Sequence, residues 1–225
     1  MPKTEQTDVA ALAAEIQARL AALRSRKTEH VRSLRREYSR RLAGTEAGAV
    51  ILLALRLLEQ PAFECRFVAY ELVSSHRAAL YSLRARELAR LGRGLDSWES
   101  VDTFACYLAG PAWREHQVSD QLIHRWARSR DRWWRRAALV STVALNNQAR
   151  GGRGDTTRTL AVCRMLASDD DDMVVKALSW ALRELAKRDP QAVRAFLREH
   201  EGALAARVRR EVRNKLSTGL KNPRR

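Results

Sequence analysis

DDDMVVKALSWALRELAKR, residues 170–188, has the spacing of a single helix with a dry side and a wet side. With residues stepped around the axis from Leu178, Val174, Val175, Ala181, Leu182 and Leu185 fall within about 60° of it and form an apolar stripe. The acids Asp169 to Asp172 stand at its start, where carboxylates oppose the positive end of the helix dipole and cap free N–H groups. They lack the glycine and distant glutamate of an EF-hand loop, which favours capping over a Ca²⁺ site. Trp180 falls opposite the stripe, beside Lys176, Arg183 and Lys187. Two readings stand: a large aromatic displayed on a basic face, or a tryptophan packed against a neighbouring repeat beneath arginine stems.

The same spacing recurs on both sides of this segment. It predicts helices over 9–23, 27–42, 45–58, 61–75 (with Pro61 in the first position, where a missing N–H costs nothing) and 77–91. Gly92-Arg93-Gly94 then breaks the series, and Asp96-Ser97 can cap a helix over 98–109. Gly110-Pro111 is read as ending that helix and starting another to about 128, the two lying antiparallel. Further helices are expected over 131–148, 156–166, 189–200 and to about 216, and the Gly-rich stretch 150–155 is the one that looks flexible. Helices of roughly 12–18 residues joined by short turns, paired about every 35–45 residues, predict an all-α chain. An α-solenoid of HEAT-like antiparallel helix pairs is the first architecture and an irregular bundle the second. A single domain over 1–225 is expected, with divergent N-terminal helices over 1–60, a core over 61–200, and a C-terminal helix and basic tail over 201–225.

Composition agrees: only 10 Gly and 5 Pro punctuate the chain, so almost no strand is expected. The 42 Lys and Arg against 26 Asp and Glu leave a net charge of +16, the balance of a protein that meets a polyanion. Eight basic residues lie between Arg24 and Arg41, and eight more between Arg207 and Arg225 against the single acid Glu211. The longest apolar run, 47–55 broken only by Gly48, is too short to span a bilayer, so no membrane partner is expected. Met1 to Glu5 carry acid and begin no apolar leader, which points to a cytoplasmic protein. Cys65, Cys106 and Cys163 show no C-x-x-C spacing and read as reduced core thiols.

A few residues do not read as scaffold. Trp98 and Asp102 stand one helical turn apart and therefore side by side, either as a functional pair or as a wedge between repeats with a capping acid. Arg136 lies within the apolar arc of Trp133, Ala137, Val140, Val143 and Ala144. A cation there requires an anion, either a carboxylate of the protein or a phosphate of a ligand. Arg135 points elsewhere and reads as a solvated charge. His116, Asp120 and His124, at i, i+4 and i+8, form a weak metal-site pattern, and no metal is expected. There is no phosphate-binding Gly-rich loop before a Lys, no H-E-x-x-H, no G-x-S-x-G and no dinucleotide fingerprint, so most enzyme classes lack support.

Three stretches together, Trp98-Glu99-Ser100-Val101-Asp102, Trp133 to Leu139, and Lys176 to Glu184, resemble in order and spacing the signature stretches of the AlkD-type DNA alkylation repair glycosylases. The resemblance runs from about Phe63 to His200. It implies a curved stack of HEAT-like repeats whose concave basic face holds duplex DNA, and excision of cationic N3- or N7-alkylated purines without flipping the base. By position it assigns Trp98 and Trp180 to flank the lesion, Asp102 as the catalytic carboxylate, and Arg136 to grip the DNA backbone; Lys176, Arg183 and Lys187, the basic face around Trp180, are read beside them as DNA-binding. The family's early-helix aromatic has Tyr38 as its counterpart, in altered surroundings. No cofactor is implied; the expected partner is double-stranded DNA carrying alkylated bases, bound by a monomer that is nucleoid-associated when on DNA. The competing readings are a noncatalytic helical-repeat protein that binds branched or distorted DNA, and a basic protein-interaction scaffold.

Overall fold

The computed structural model describes residues 8–223; the N-terminal reading at Met1 to Glu5 and the final Arg224 and Arg225 of the basic tail lie outside the described residues. Every regular element among the described residues is helical. The chain divides into two compact units, Met1–Arg93 and Gly94–Arg225, and the division falls at the Gly92-Arg93-Gly94 break.

In the first unit, α1 (Val9–Ala21), α2 (Thr28–Arg41), α3 (Ala47–Leu57) and α4 (Phe63–Ser75) pack in two layers, α1 on α3 and α2 on α4, with α3 against α4. α2 buries only Val31, Leu34 and Tyr38, the narrow stripe that a largely charged helix can offer. Of the eight cations between Arg24 and Arg41, four are tied to acids, Arg26 to Glu64, Arg32 and Arg35 to the buried Glu71, and Arg41 to Glu15. The expected helix over 77–91 is two helices, α5 (Arg77–Ser82) and α6 (Ala85–Leu91). The break at Leu83 and Arg84 is extended, and Glu87 accepts the Arg84 N–H to cap the second piece. Pro61 stays outside α4, which starts at Phe63.

The second unit opens with α7 (Trp98–Phe104), capped by Ser97, and runs through a π-helical stretch (Ala105–Ala109) into α8 (Gly110–Arg114). The antiparallel pair predicted at Gly110-Pro111 does not form. Ala109 and Gly110 keep helical backbone angles, and Gly110 N–H reaches back five residues to the Ala105 carbonyl. The widened turn makes room for the Pro111 ring and removes the need for its missing N–H. The helix ends instead at His116, whose φ of 57° is left-handed. His116 therefore lies off α9 (Asp120–Ala127), and the supposed ladder with Asp120 and His124 does not share one helix. Asp120 accepts the Trp113 indole N–H at 2.7 Å.

α10 (Arg132–Asn146), α12 (Asp172–Leu185) and α14 (Ala206–Thr218) lie successively side by side, with α7 and α8 also on α10, while α9 and α11 (Thr156–Met165) pair in the other layer and α13 (Pro190–Glu199) rests on α12. The predicted stripe of α12 is buried throughout, and Asp171 caps the helix by accepting the Met173 and Val174 N–H groups. Arg135 corrects the expectation of a solvated charge: its guanidinium meets Asp169 at 2.6 Å and also donates to the Ser129 and Arg130 carbonyls. Cys65, Cys106 and Cys163 are buried free thiols, and burial pushes the Cys106 thiol up to about 12.

The stretch expected to be flexible is firmly held. Asn146, buried at the end of α10, accepts Asp155 N–H through its side chain and donates to Thr159 Oγ1. Arg188 donates to the Asn146 and Gly152 carbonyls, and Arg114 Nη1 to the Arg150 carbonyl at 2.5 Å. At Gly152 a Cβ would come within 2.7 Å of Asn147 N and 2.8 Å of the Ala144 carbonyl, so backbone packs against backbone there. A short 3₁₀ turn, Gln148–Arg150, leads into it.

Candidate active site

The helix from Trp98 to Trp113 is buried except at Trp98, Glu99, Asp102 and Tyr107. In an uninterrupted α-helix the strip begun by Trp98 and Asp102 would continue at 105 or 106. Ala105 and Cys106 are buried, and the extra residue of the π turn brings Tyr107 into that place. Trp98 is half exposed, at 50 %.

Asp102 does not stand alone. Arg136 Nε donates to its Oδ1 at 2.9 Å and Nη2 to its Oδ2 at 2.8 Å, a planar two-point pairing in which carboxylate and guanidinium match edge to edge. The third edge of the same guanidinium, Nη1, donates to the Met173 carbonyl at 2.6 Å, just inside α12. Of the two anions the sequence left open for Arg136, the protein's own carboxylate fills the role. The Asp102 side chain keeps 17 % of its surface exposed and that of Arg136 only 6 %. Arg136, expected to grip the DNA backbone, therefore has its guanidinium engaged within the protein and ties α7, α10 and α12 together. Burial pushes the Asp102 carboxyl above its usual range, and the hydrogen bonds and charge of Arg136 pull it only part of the way back. Each carboxylate oxygen retains a second lone pair for a water or a substrate.

On α12, Trp180 is half-buried on the face away from the apolar stripe, and among the described residues no ring contact pairs it with Trp98. Its basic neighbours are partly engaged. Lys176 meets Asp172 at 2.6 Å, and Lys187 donates to both oxygens of the buried Glu184 at 2.8 Å. Arg183 corrects the expectation of a displayed charge. Its Nε donates to Ser179 Oγ, Glu211 of α14 lies 3.9 Å away, and burial lowers its pKa. Tyr38 requires a larger correction: its ring is fully buried in the first unit, between the guanidinium groups of Arg19 and Arg41, and its hydroxyl donates to Glu15. A ring so enclosed is not displayed to a ligand; α2 is charged enough that Tyr38 is needed for its core stripe.

Two features of the site were not expected from sequence. One is the Met173 carbonyl, which no side-chain pattern announces. The other is Tyr107, with the Arg150 guanidinium 4.8 Å above its ring. The signal for Tyr107 was the Gly110-Pro111 pair inside an otherwise apolar helix, a place where a widened turn is the alternative to a break.

Residues 14–216 match the model of a family described as DNA alkylation repair enzyme, so the match covers most of both units and begins well ahead of the stretch 63–200. No curated protein matches the chain.

Proposed function

The chain belongs to the DNA alkylation repair enzyme family, and from that premise we propose that it is a monofunctional glycosylase hydrolysing the N-glycosidic bond of cationic N3- or N7-alkylated purines in duplex DNA. The observation that carries the reading is a half-buried carboxylate, Asp102, fixed at both oxygens by Arg136 and set one helical turn from the half-exposed indole of Trp98.

An alkylated purine that already bears a positive charge leaves without being protonated, so the site needs no general acid. As the bond to C1′ stretches, its electron pair goes to the purine and cancels that charge, while positive character builds on the sugar. A fixed carboxylate beside the sugar stabilises the developing oxocarbenium ion, and its remaining lone pairs orient a water toward C1′. The water's oxygen forms the new bond and its proton leaves through Asp102 to solvent. Trp98 and Trp180 are the proposed indole faces, which favour a cationic base over a neutral one by roughly 0.5–2 kcal/mol per contact. Arg136 is assigned here to positioning Asp102, since its donors face the carboxylate and the Met173 carbonyl. Lys176 on α12 and Lys187 just past its end, with half-exposed side chains, are the cations there available to phosphates.

The test is chemical. Incubated with duplex DNA containing 7-methylguanine, the protein releases the free base and leaves an abasic site in an intact strand, while a duplex containing the neutral base hypoxanthine is left untouched. Absence of release from the methylated duplex rejects the reading, and structure-selective binding without release would assign the chain to the noncatalytic DNA-binding class.

A further inference from the structure

Arg150 ends the 3₁₀ turn after α10, in the Gly-rich stretch to which the functional reading gave no role. Its position is set on both sides. Its backbone N–H donates to the Asn147 carbonyl at 3.0 Å, its carbonyl accepts from Arg114, and the following Gly151 turns the chain with φ of 80°. A Cβ on Gly151 would stand 3.1 Å from the Arg114 guanidinium that holds the turn. Held in this way, the Arg150 guanidinium lies 4.8 Å over the Tyr107 ring, at the end of the exposed strip that begins with Trp98 and Asp102.

Its donors are free. Among the described residues the Arg150 side chain makes the ring contact and no hydrogen bond or ion pair, although it is half-buried. It contrasts with Arg136, whose guanidinium is engaged on three edges, and with Arg114, Arg135, Arg158 and Arg188, each of which donates to a carboxylate or a carbonyl. A guanidinium with its flat face on an aromatic ring keeps its in-plane donors for an anion and loses little freedom on binding one. Arg150 is close enough to Asp102 for its charge to favour the ionised carboxylate, which agrees with the placement along the strip.

We propose that Arg150, supported on Tyr107, is the cation that receives a DNA backbone phosphate beside the nucleotide facing Asp102, in the place expected of Arg136. The proposal deepens the glycosylase reading and rests on it for the identity of the facing nucleotide, but not for the contact itself. Only the two-point geometry of a guanidinium uses both oxygens of a phosphodiester, so lysine substitutes incompletely.

The experiment measures binding without chemistry. The probe is a duplex carrying one tetrahydrofuran abasic analogue, in which the phosphates on either side of the analogue are replaced singly by neutral methylphosphonates. One of these replacements is expected to weaken binding of the wild type about tenfold. The same replacement is expected to weaken Arg150→Gln by less than twofold further, because the contact is already gone; Arg150→Lys falls between. Arg153→Gln, at an exposed arginine three residues on, keeps the full loss. Additive losses in Arg150→Gln, or loss of the methylphosphonate effect in Arg153→Gln as well, overturn the proposal. Thermal unfolding of each variant identifies one that fails to fold, and Arg150→Lys then carries the comparison, a loss equal to the wild type's overturning the proposal. Base release is scored separately. A wild type that binds with this phosphate dependence and releases no base retains the Arg150 contact and loses the glycosylase reading, whereas release with additive losses does the reverse.

Discussion

At position 102 a carboxylate must be dry enough for its charge to act strongly and yet remain charged. Burial favours the protonated acid and Arg136 favours the anion, with the balance above the ordinary aspartate range. On the proposed glycosylase reading only the anion stabilises the developing sugar cation, so the rate of base release should fall tenfold per pH unit once the pH drops below that raised pKa. An acid limb above the usual aspartate range is therefore predicted in the pH profile of single-turnover release. A profile flat down to the ordinary aspartate pKa would remove Asp102 from the rate-determining step. At this scale the sequence carried a good deal: the i, i+4 spacing placed Trp98 beside Asp102, and an arginine in an apolar arc demanded an anion. It could not choose between a protein anion and a ligand anion, since the partner lies 34 positions away on another helix. Tyr38 and Arg183 were misjudged for different reasons: on a helix as charged as α2 an aromatic is drawn into the core stripe, whereas Arg183 is engaged by Ser179 and by Glu211 of another helix, which spacing along α12 does not encode.

Among elements, the rod from Trp98 to Arg114 decides the site, because its π turn advances the exposed strip to Tyr107. α10 crosses this rod closely at Gly110. A Cβ there would stand 2.5 Å from Ala144 Cβ, 2.7 Å from the Ser141 carbonyl and 2.8 Å from the Ala105 carbonyl. Two of these neighbours are backbone and cannot swing aside, so Gly110→Ala should force the start of α8 and α10 apart. The expected destabilisation is about 1–3 kcal/mol, read as a lower midpoint in urea with an unchanged slope. An unchanged midpoint would mean that the contact has slack. The existence of the helices was legible because apolar spacing reports the buried face directly. Their ends were less so: Gly110-Pro111 carries a break signal that a widened turn absorbs, while the break at Leu83 and Arg84 carries no glycine or proline at all. The Gly-rich stretch after α10 reads as loose on composition but is fixed by Arg114 and Arg188, whose partners are carbonyls that side-chain patterns do not encode.

Across the whole molecule the charge of +16 is only partly compensated at short range. On α2 and the segment before it, Arg24, Lys27, Arg36 and Arg40 form no ion pair among the described residues, and Arg150 forms none in the second unit. Cations of this kind release counterions from duplex DNA, each phosphate neutralised adding about −0.9 to the slope of log K against log salt. For undamaged duplex a slope of about −4 to −6 is predicted by fluorescence titration across a salt series, with little dependence on sequence. A slope near −1 would point instead to a protein partner for the basic surface. A polyanionic partner was suggested by composition alone, and the helical class was legible from periodicity; the division into units at Gly94 was visible only as a pair of glycines around an arginine. No helix of the described residues is long and apolar enough to cross a membrane, in keeping with the short apolar runs.

The central claim is that a carboxylate held by Arg136 provides the charge that drives loss of a cationic base. Asp102→Asn keeps the shape and one acceptor for the guanidinium and deletes the charge, so single-turnover release of 7-methylguanine at saturating enzyme is its direct measure. The predicted outcome is a fall in rate of about 10²- to 10³-fold with binding of the abasic-analogue duplex retained. Release at the wild-type rate from a folded Asp102→Asn protein would contradict the account.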